Sequence, residues 1–183
     1  MALFRRAEPP EALSAAMAGV KSGDRVLFAG TEDIGLITEI GVHAGLGGRV
    51  VAIAATADAA QKRARRIELA GALVEPEHGP LTMLPLDSGS FDVAIAEDTL
   101  LALDPGDRRG AIGELFRVLR PGGRLIWIER QPRGGLFRLA PDSRALPDSA
   151  EREAALSAAG FRGVRRLASA SRRVYIEGIK SAG

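Results

Sequence analysis

The chain has 183 residues, of which 46% are hydrophobic and 26% charged, with no cysteine: enough for a substantial core, but not for a disulfide framework, a thiolate metal site or a cysteine nucleophile. Net charge is only +2, and the pI of 9.5 reflects a scarcity of groups titrating between neutrality and pH 9; residues 1–129 are net −4 and residues 130–183 net +6. No run approaches the roughly 20 apolar residues that span a bilayer, and Met1 to Ala7 carries no signal-like segment, so a cytoplasmic protein without membrane partners is expected.

Pro9-Pro10 open a short helix over 9–19, and Lys21-Ser22-Gly23-Asp24 turns into a first strand, Arg25 to Ala29. After the loop Gly30 to Asp33, a helix carries Ile34, Ile37, Ile40 and Ala44 along one side and ends at Gly45-Leu46-Gly47-Gly48. Val50 to Ala54 is a second strand. Residues 57–70 form a helix with Ala60, Ala64 and Ile67 inward and a basic outer face of Lys62, Arg63, Arg65 and Arg66, stopped by Gly71. A third short strand is expected around Leu73-Val74 or Leu81-Thr82-Met83, in a stretch interrupted by Pro76 and Pro80. Phe91 to Ala96 is the fourth strand. The helix 107–119 follows, with Ile112, Leu115, Phe116 and Leu119 on one face; Pro121-Gly122-Gly123 turn into a fifth strand, 123–129. Residues 130–147 read as an exposed loop. Asp148 caps a helix to Ala159, with Glu151 as its capping-box partner, and Gly160 ends it. Val164 to Ala168 and Arg173 to Ile179 read as a hairpin around Ser169-Ala170-Ser171. Strand–helix alternation of this kind gives a doubly wound α/β sheet.

Two stretches carry a family signature: Leu84-Pro85-Leu86-Asp87-Ser88-Gly89-Ser90-Phe91-Asp92, and the run from Phe116 through Arg120-Pro121-Gly122-Gly123 to Glu129. They resemble the second half of a class I S-adenosylmethionine (SAM) dependent methyltransferase, closest to the quinone-biosynthesis group. The resemblance covers residues 13–180. It implies a Rossmann-like, mostly parallel seven-stranded sheet with the last strand antiparallel, which the C-terminal hairpin supports independently. One domain, 1–183, is expected, with 1–22 an N-terminal helix and turn. It also implies methyl transfer from SAM to a small-molecule acceptor.

In an open α/β sheet the ligand lies beyond the carboxyl ends of the strands, so the loops after strands one, two and three matter most. The resemblance places the cofactor against Gly30, Thr31, Glu32, Asp33, Ala54, Leu81 and Glu97. The family pattern puts closely spaced glycines in the first loop; here Gly30 matches, and Glu32 occupies a glycine position. It puts an acid at the end of strand two, where this chain has Ala54, and another near the adenine, where it has Pro80. Losing two or three charge-assisted hydrogen bonds would weaken binding by about 3–6 kcal/mol, or on the order of 10²–10⁴ in affinity. Asp58, four residues beyond Ala54, is a candidate substitute. Glu32, Asp33, Glu97 and Asp98 could form an acidic rim suited to a sulfonium cation; alternatively, Glu32 and Asp33 merely begin a helix.

Asp98, Glu129, Arg130 and Phe137 are candidate contacts for a substrate or partner, Glu129 having the alternative of capping a loop. His43 and His78 are too far apart to suggest a metal site, Ser88 and Ser90 lack triad partners, and Gly30 to Gly35 does not fit a dinucleotide fingerprint. With few residues before strand one, the site should stand open, suiting a homo- or hetero-oligomer that covers it through the loop 130–147. The expectation is therefore a methyltransferase-like protein. Its alternative is a pseudo-methyltransferase without SAM binding, a scaffold or regulatory subunit of a partner chain. An RNA-binding module would rest on the basic C-terminal third alone and lacks stacking aromatics, so nucleic acid is not expected.

Overall fold

The computed structural model describes residues 10–30, 33–131 and 149–182. Its elements in chain order are α1 (Pro10–Ala18), β1 (Arg25–Gly30), α2 (Ile34–Ala44), β2 (Arg49–Ala54), α3 (Ala57–Leu69), β3 (Glu75–His78), β4 (Phe91–Glu97), a 3-10 turn (Leu100–Ala102), α4 (Pro105–Val118), β5 (Leu119–Arg130), α5 (Ser149–Ala158), β6 (Phe161–Ala170) and β7 (Arg173–Lys180). The seven strands form one sheet in the order β3-β2-β1-β4-β5-β7-β6. β3, β2, β1, β4 and β5 pair in parallel, and β7 runs antiparallel to both β5 and β6. The order reverses between β1 and β4, and there the two crossover loops diverge to leave a crevice at the carboxyl edge.

Central strands buried on both sides need apolar residues at successive positions. Val26 to Ala29 and Val93 to Ala96 supply them, each at most 2% exposed. Alternation then divides the core. Val26, Phe28, Ile95 and Ile128 pack on α1 and α2 with Leu36, Ile37 and Ile40. Leu27, Ala94, Leu125 and Trp127 pack on α4 and α5 with Ile112, Leu115 and Leu156. No helix among the described residues is long and apolar enough to cross a membrane.

Three local expectations are corrected. The third strand is Glu75–His78, between the two segments expected to form it. It is a sheet edge, where backbone pairing with Val51 to Ala54 and an Arg49–Glu75 ion pair hold a sequence with no apolar pattern, and where Pro76 is tolerated. β5 begins at Leu119, so Pro121 and Gly122 sit in the strand's irregular start, where the register with β4 shifts. The β6–β7 turn is at Ser171-Arg172, both with positive φ (51° and 60°), the backbone that a two-residue hairpin matching strand twist requires. Asp148 lies outside the described residues.

Candidate functional site at the carboxyl edge of the sheet

β1, β2 and β4 end level with one another at Gly30, Ala54 and Glu97. Above them opens a cleft of about 430 Å³, lined by Gly30, Ala54, Leu81, Thr99 and Leu103 among others. Gly30 is constrained by packing: its φ is +120°, and a Cβ there would strike the Glu97 carbonyl oxygen and lie 2.9 Å from Thr99 Cβ. The β1 and β4 backbones can approach this closely only with glycine at that position. The Ala54 carbonyl accepts a hydrogen bond from Gly79 N at 2.9 Å, which folds the loop after β3 across the cleft and brings Pro80 and Leu81 into its wall. The opposite wall is fixed by Arg108, which donates to the Leu100 and Leu103 carbonyls at 2.9 and 3.0 Å and clamps the 3-10 turn to α4.

Arg63 is a correction. Expected on the outer face of α3, it is 5% exposed; its guanidinium lines the cleft beside Ala54 and donates to the Gly30 carbonyl at 3.0 Å. Asp58 is exposed in the first turn of α3 and pairs with Lys62 at 2.7 Å, on helix surface.

Beside the cleft, the acids gather with arginines. Asp33 caps α2, its Oδ1 accepting from Leu36 N at 3.1 Å, while Oδ2 accepts from Arg173 Nη2 at 2.9 Å. Arg173 Nη1 donates to Ser14 Oγ at 2.9 Å, and Ser14 in turn meets the Tyr175 hydroxyl at 3.0 Å. Glu97 is fully buried, and Arg173 Nη2 lies 3.2 Å from its Oε1, but among the described residues neither carboxylate oxygen has an aligned hydrogen-bond donor. Burial, reinforced by the nearby Asp33 and Asp98 charges and only partly offset by Arg173, pushes its pKa up to about 7. Asp98, at φ 49°, accepts from Arg130 N at 2.8 Å and pairs with Arg130 Nε at 2.7 Å, tying the ends of β4 and β5. Glu129 points to the other face of the sheet, where its Oε1 accepts from Trp127 Nε1 at 2.8 Å and from Leu101 N at 3.3 Å.

The structure thus brings Gly30, Ala54, Leu81 and Asp98 to the cleft, and joins Asp98 with Asp33, Glu97 and Arg130 in a charged cluster at its side. Thr31, Glu32 and Phe137 lie outside the described residues. Sequence reading missed Arg173 and Ser14, whose hydrogen bond spans 159 positions of the chain, and no local pattern marks either one.

A doubly wound sheet with this strand order and a cleft at its switch point defines a Rossmann-like α/β protein of the methyltransferase type. The methyltransferase domain family model matches residues 34–127, just over half of the chain, and the chain belongs to that family. A SAM-dependent methyltransferase from Aquifex aeolicus superposes with a TM-score of 0.78 at 21% identity, over 93% of this chain and 89% of that one. The [4+2]-cyclase SpnF superposes with a TM-score of 0.71 at 18% identity, over 94% and 81% respectively. An uncharacterized 37.1 kDa protein in transposon TN4556 of Streptomyces fradiae is 40% identical over 82 residues; the match takes in 45% of this chain and 23% of that relative.

SAM is the cofactor the family implies, and the residues at the cleft fit it poorly. The end of β2 presents the methyl group of Ala54 with the Arg63 guanidinium beside it, so a ribose finds no carboxylate from that strand. Pro80 in the next loop supplies neither an acid nor a backbone N–H. Of the acids, Asp33, Glu97 and Asp98 are matched to Arg130 and Arg173, and Asp107 lies in the cleft wall on the first turn of α4, away from the end of β2.

Proposed function

We propose that this chain keeps the methyltransferase architecture without SAM-driven turnover of its own, and works as a scaffold or regulatory subunit whose open carboxyl edge is covered by a partner chain. One observation carries the reading: Ala54 stands at the end of β2, with an arginine rather than an acid beside it in the cleft. Each missing charge-assisted hydrogen bond removes about 1.5–3 kcal/mol, and an ordinary micromolar site loses its usefulness when two are gone. The likeness to a cyclase supports separating this fold from methyl transfer as a reaction.

The second reading is a SAM-dependent methyltransferase for a small molecule. It is supported by a cleft of about 430 Å³ at the switch point, a volume in the usual range for small ligands. Methyl transfer can proceed through proximity and alignment alone, so this reading requires no general base. Calorimetry of the purified protein with SAM and with its demethylated product separates the two. We expect no binding tighter than about 50 μM, near −6 kcal/mol. Tighter binding of either ligand would defeat the pseudoenzyme reading.

A further inference from the structure

The buried arginine at the start of β7 bears on which ligands the carboxyl edge accepts. Arg173 is 6% exposed and stands opposite Arg130 in the β5–β7 register. Its guanidinium reaches across the sheet to Ser14 on α1, Asp33 at the α2 cap and Glu97 at the end of β4. Those three partners come from separate segments, and the hydrogen bonds to Ser14 and Asp33 fix the guanidinium in place. Asp98, the remaining acid of the cluster, is matched by Arg130. Two carboxylates withdrawn from water with no cation between them would carry a large desolvation penalty, and Arg173 relieves it. Burial also pushes Glu97 toward its neutral form.

We propose that Arg173 is a built-in counter-cation, and that by neutralising Asp33 and Glu97 it makes this edge of the sheet discriminate against positively charged ligands. The acids alone would suit a sulfonium or an ammonium group; with Arg173 in place they offer such a group little. A ligand that is uncharged at this edge, such as the thioether left after methyl transfer, is accepted at least as well as the sulfonium donor. This rests on the reading above that the cleft beside the cluster is the family's donor site.

The test compares SAM with its demethylated product, which differ by one methyl group and the sulfonium charge. Both carry the same nucleoside, so the poor fit at Ala54 and Pro80 weakens them equally and cancels in the ratio of affinities. For the wild-type protein, competition calorimetry should give SAM no advantage over the product. Arg173→Met should shift the ratio at least about tenfold toward SAM, the size of one unscreened charge interaction at a partly buried site, and Arg173→Lys should keep the wild-type ratio. A wild-type preference of tenfold or more for SAM overturns the proposal, and that measurement needs no variant to fold. Equal but tight binding of both ligands would sink the pseudoenzyme reading and leave this one standing.

If neither ligand binds at millimolar concentration, a small cation decides. Methylguanidinium chloride, compared with sodium chloride at equal ionic strength, should raise the melting temperature of Arg173→Ala. It should do so neither for the wild type nor for Arg173→Ala combined with Asp33→Asn. No rise in the single variant overturns the proposal.

Discussion

Glu97 shows how one residue ties the site to stability. Its carboxyl is fully buried, faced by Arg173 from β7, Arg130 from β5, Asp33 from the α2 cap and Asp98 from its own strand end. Its pKa rises from 4.5 to about 7, with burial as the largest cause. A folded-state value above the unfolded one means that the stabilisation is fully present below pH 4.5 and is lost as pH climbs through 7. Ionising Glu97 in the folded protein therefore costs about 3 kcal/mol. The wild-type melting temperature should fall as pH is raised from about 5.5 to 8, and Glu97→Gln should flatten that slope. Equal slopes in thermal denaturation would remove Glu97 as the cause. Gly30, one strand over, constrains the site through shape rather than charge. With φ +120° and the Glu97 carbonyl against its missing Cβ, Gly30→Ala should destabilise by about 3 kcal/mol, measurable as a lower urea midpoint. The first of these effects was not legible in the sequence: Glu97 could be placed near the edge, but its environment depends on an arginine on a distant strand.

At the scale of elements, the helix α4 shows why a signature read from sequence corresponds to a rigid piece of structure. The stretch Leu84 to Ser88, part of the signature, is fastened to α4 by Arg117, which donates to the Leu84 and Leu86 carbonyls at 3.0 and 2.8 Å, and by Glu114, which accepts from Leu84 N at 2.7 Å. At the junction of α4 and β5, Lys180 donates to the Phe116, Arg117 and Leu119 oxygens at 2.8, 3.2 and 2.7 Å, while Gly89 N and Ser90 N donate to those of Arg117 and Val118 at 3.0 and 2.8 Å. The Lys180 charge also complements the negative end of the helix dipole. Lys180→Met should cost roughly 2 kcal/mol and raise amide exchange at the α4 C-terminus and β5 start, with little change at β1–β2. Exchange rising uniformly across the sheet would refute a local capping role. Apolar strands and amphipathic helices were legible because their residues must be buried whatever lies around them. β3 was not, since Glu75-Pro76-Glu77-His78 holds its place through backbone pairing at an edge. The hairpin turn was misplaced because Ser171 and Arg172 adopt positive φ without the glycine or asparagine that normally announces it.

Across the whole molecule, the uneven charge of the sequence is largely folded back on itself. Residues 130–183 are net +6 and residues 1–129 net −4, a division that suggests an anionic partner when read along the chain. In three dimensions, Arg130 meets Asp98, Arg173 meets Asp33 and Glu97, and Lys180 caps α4. Arg165 pairs with Glu177 inside the C-terminal third itself. Much of the excess is therefore mortar between the two halves of the sheet, holding β7 against the ends of β4 and α2. β6 presents Arg162 and Arg166 on an exposed edge, a short basic strip. Among the described residues, Phe28, Phe91, Trp127, Phe161 and Tyr175 are at most 1% exposed, and Phe116 is half-buried against Phe161. A phosphate backbone meeting the basic strip of β6 would be held there by a few screened contacts. Fluorescence polarisation with a single-stranded RNA of about 20 nucleotides should show weak binding at low salt that vanishes by about 200 mM, because counterion release is the sole driving force. Submicromolar binding that persists at that salt would mean that the C-terminal third, rather than the cleft at the carboxyl edge, is where this protein meets its ligand.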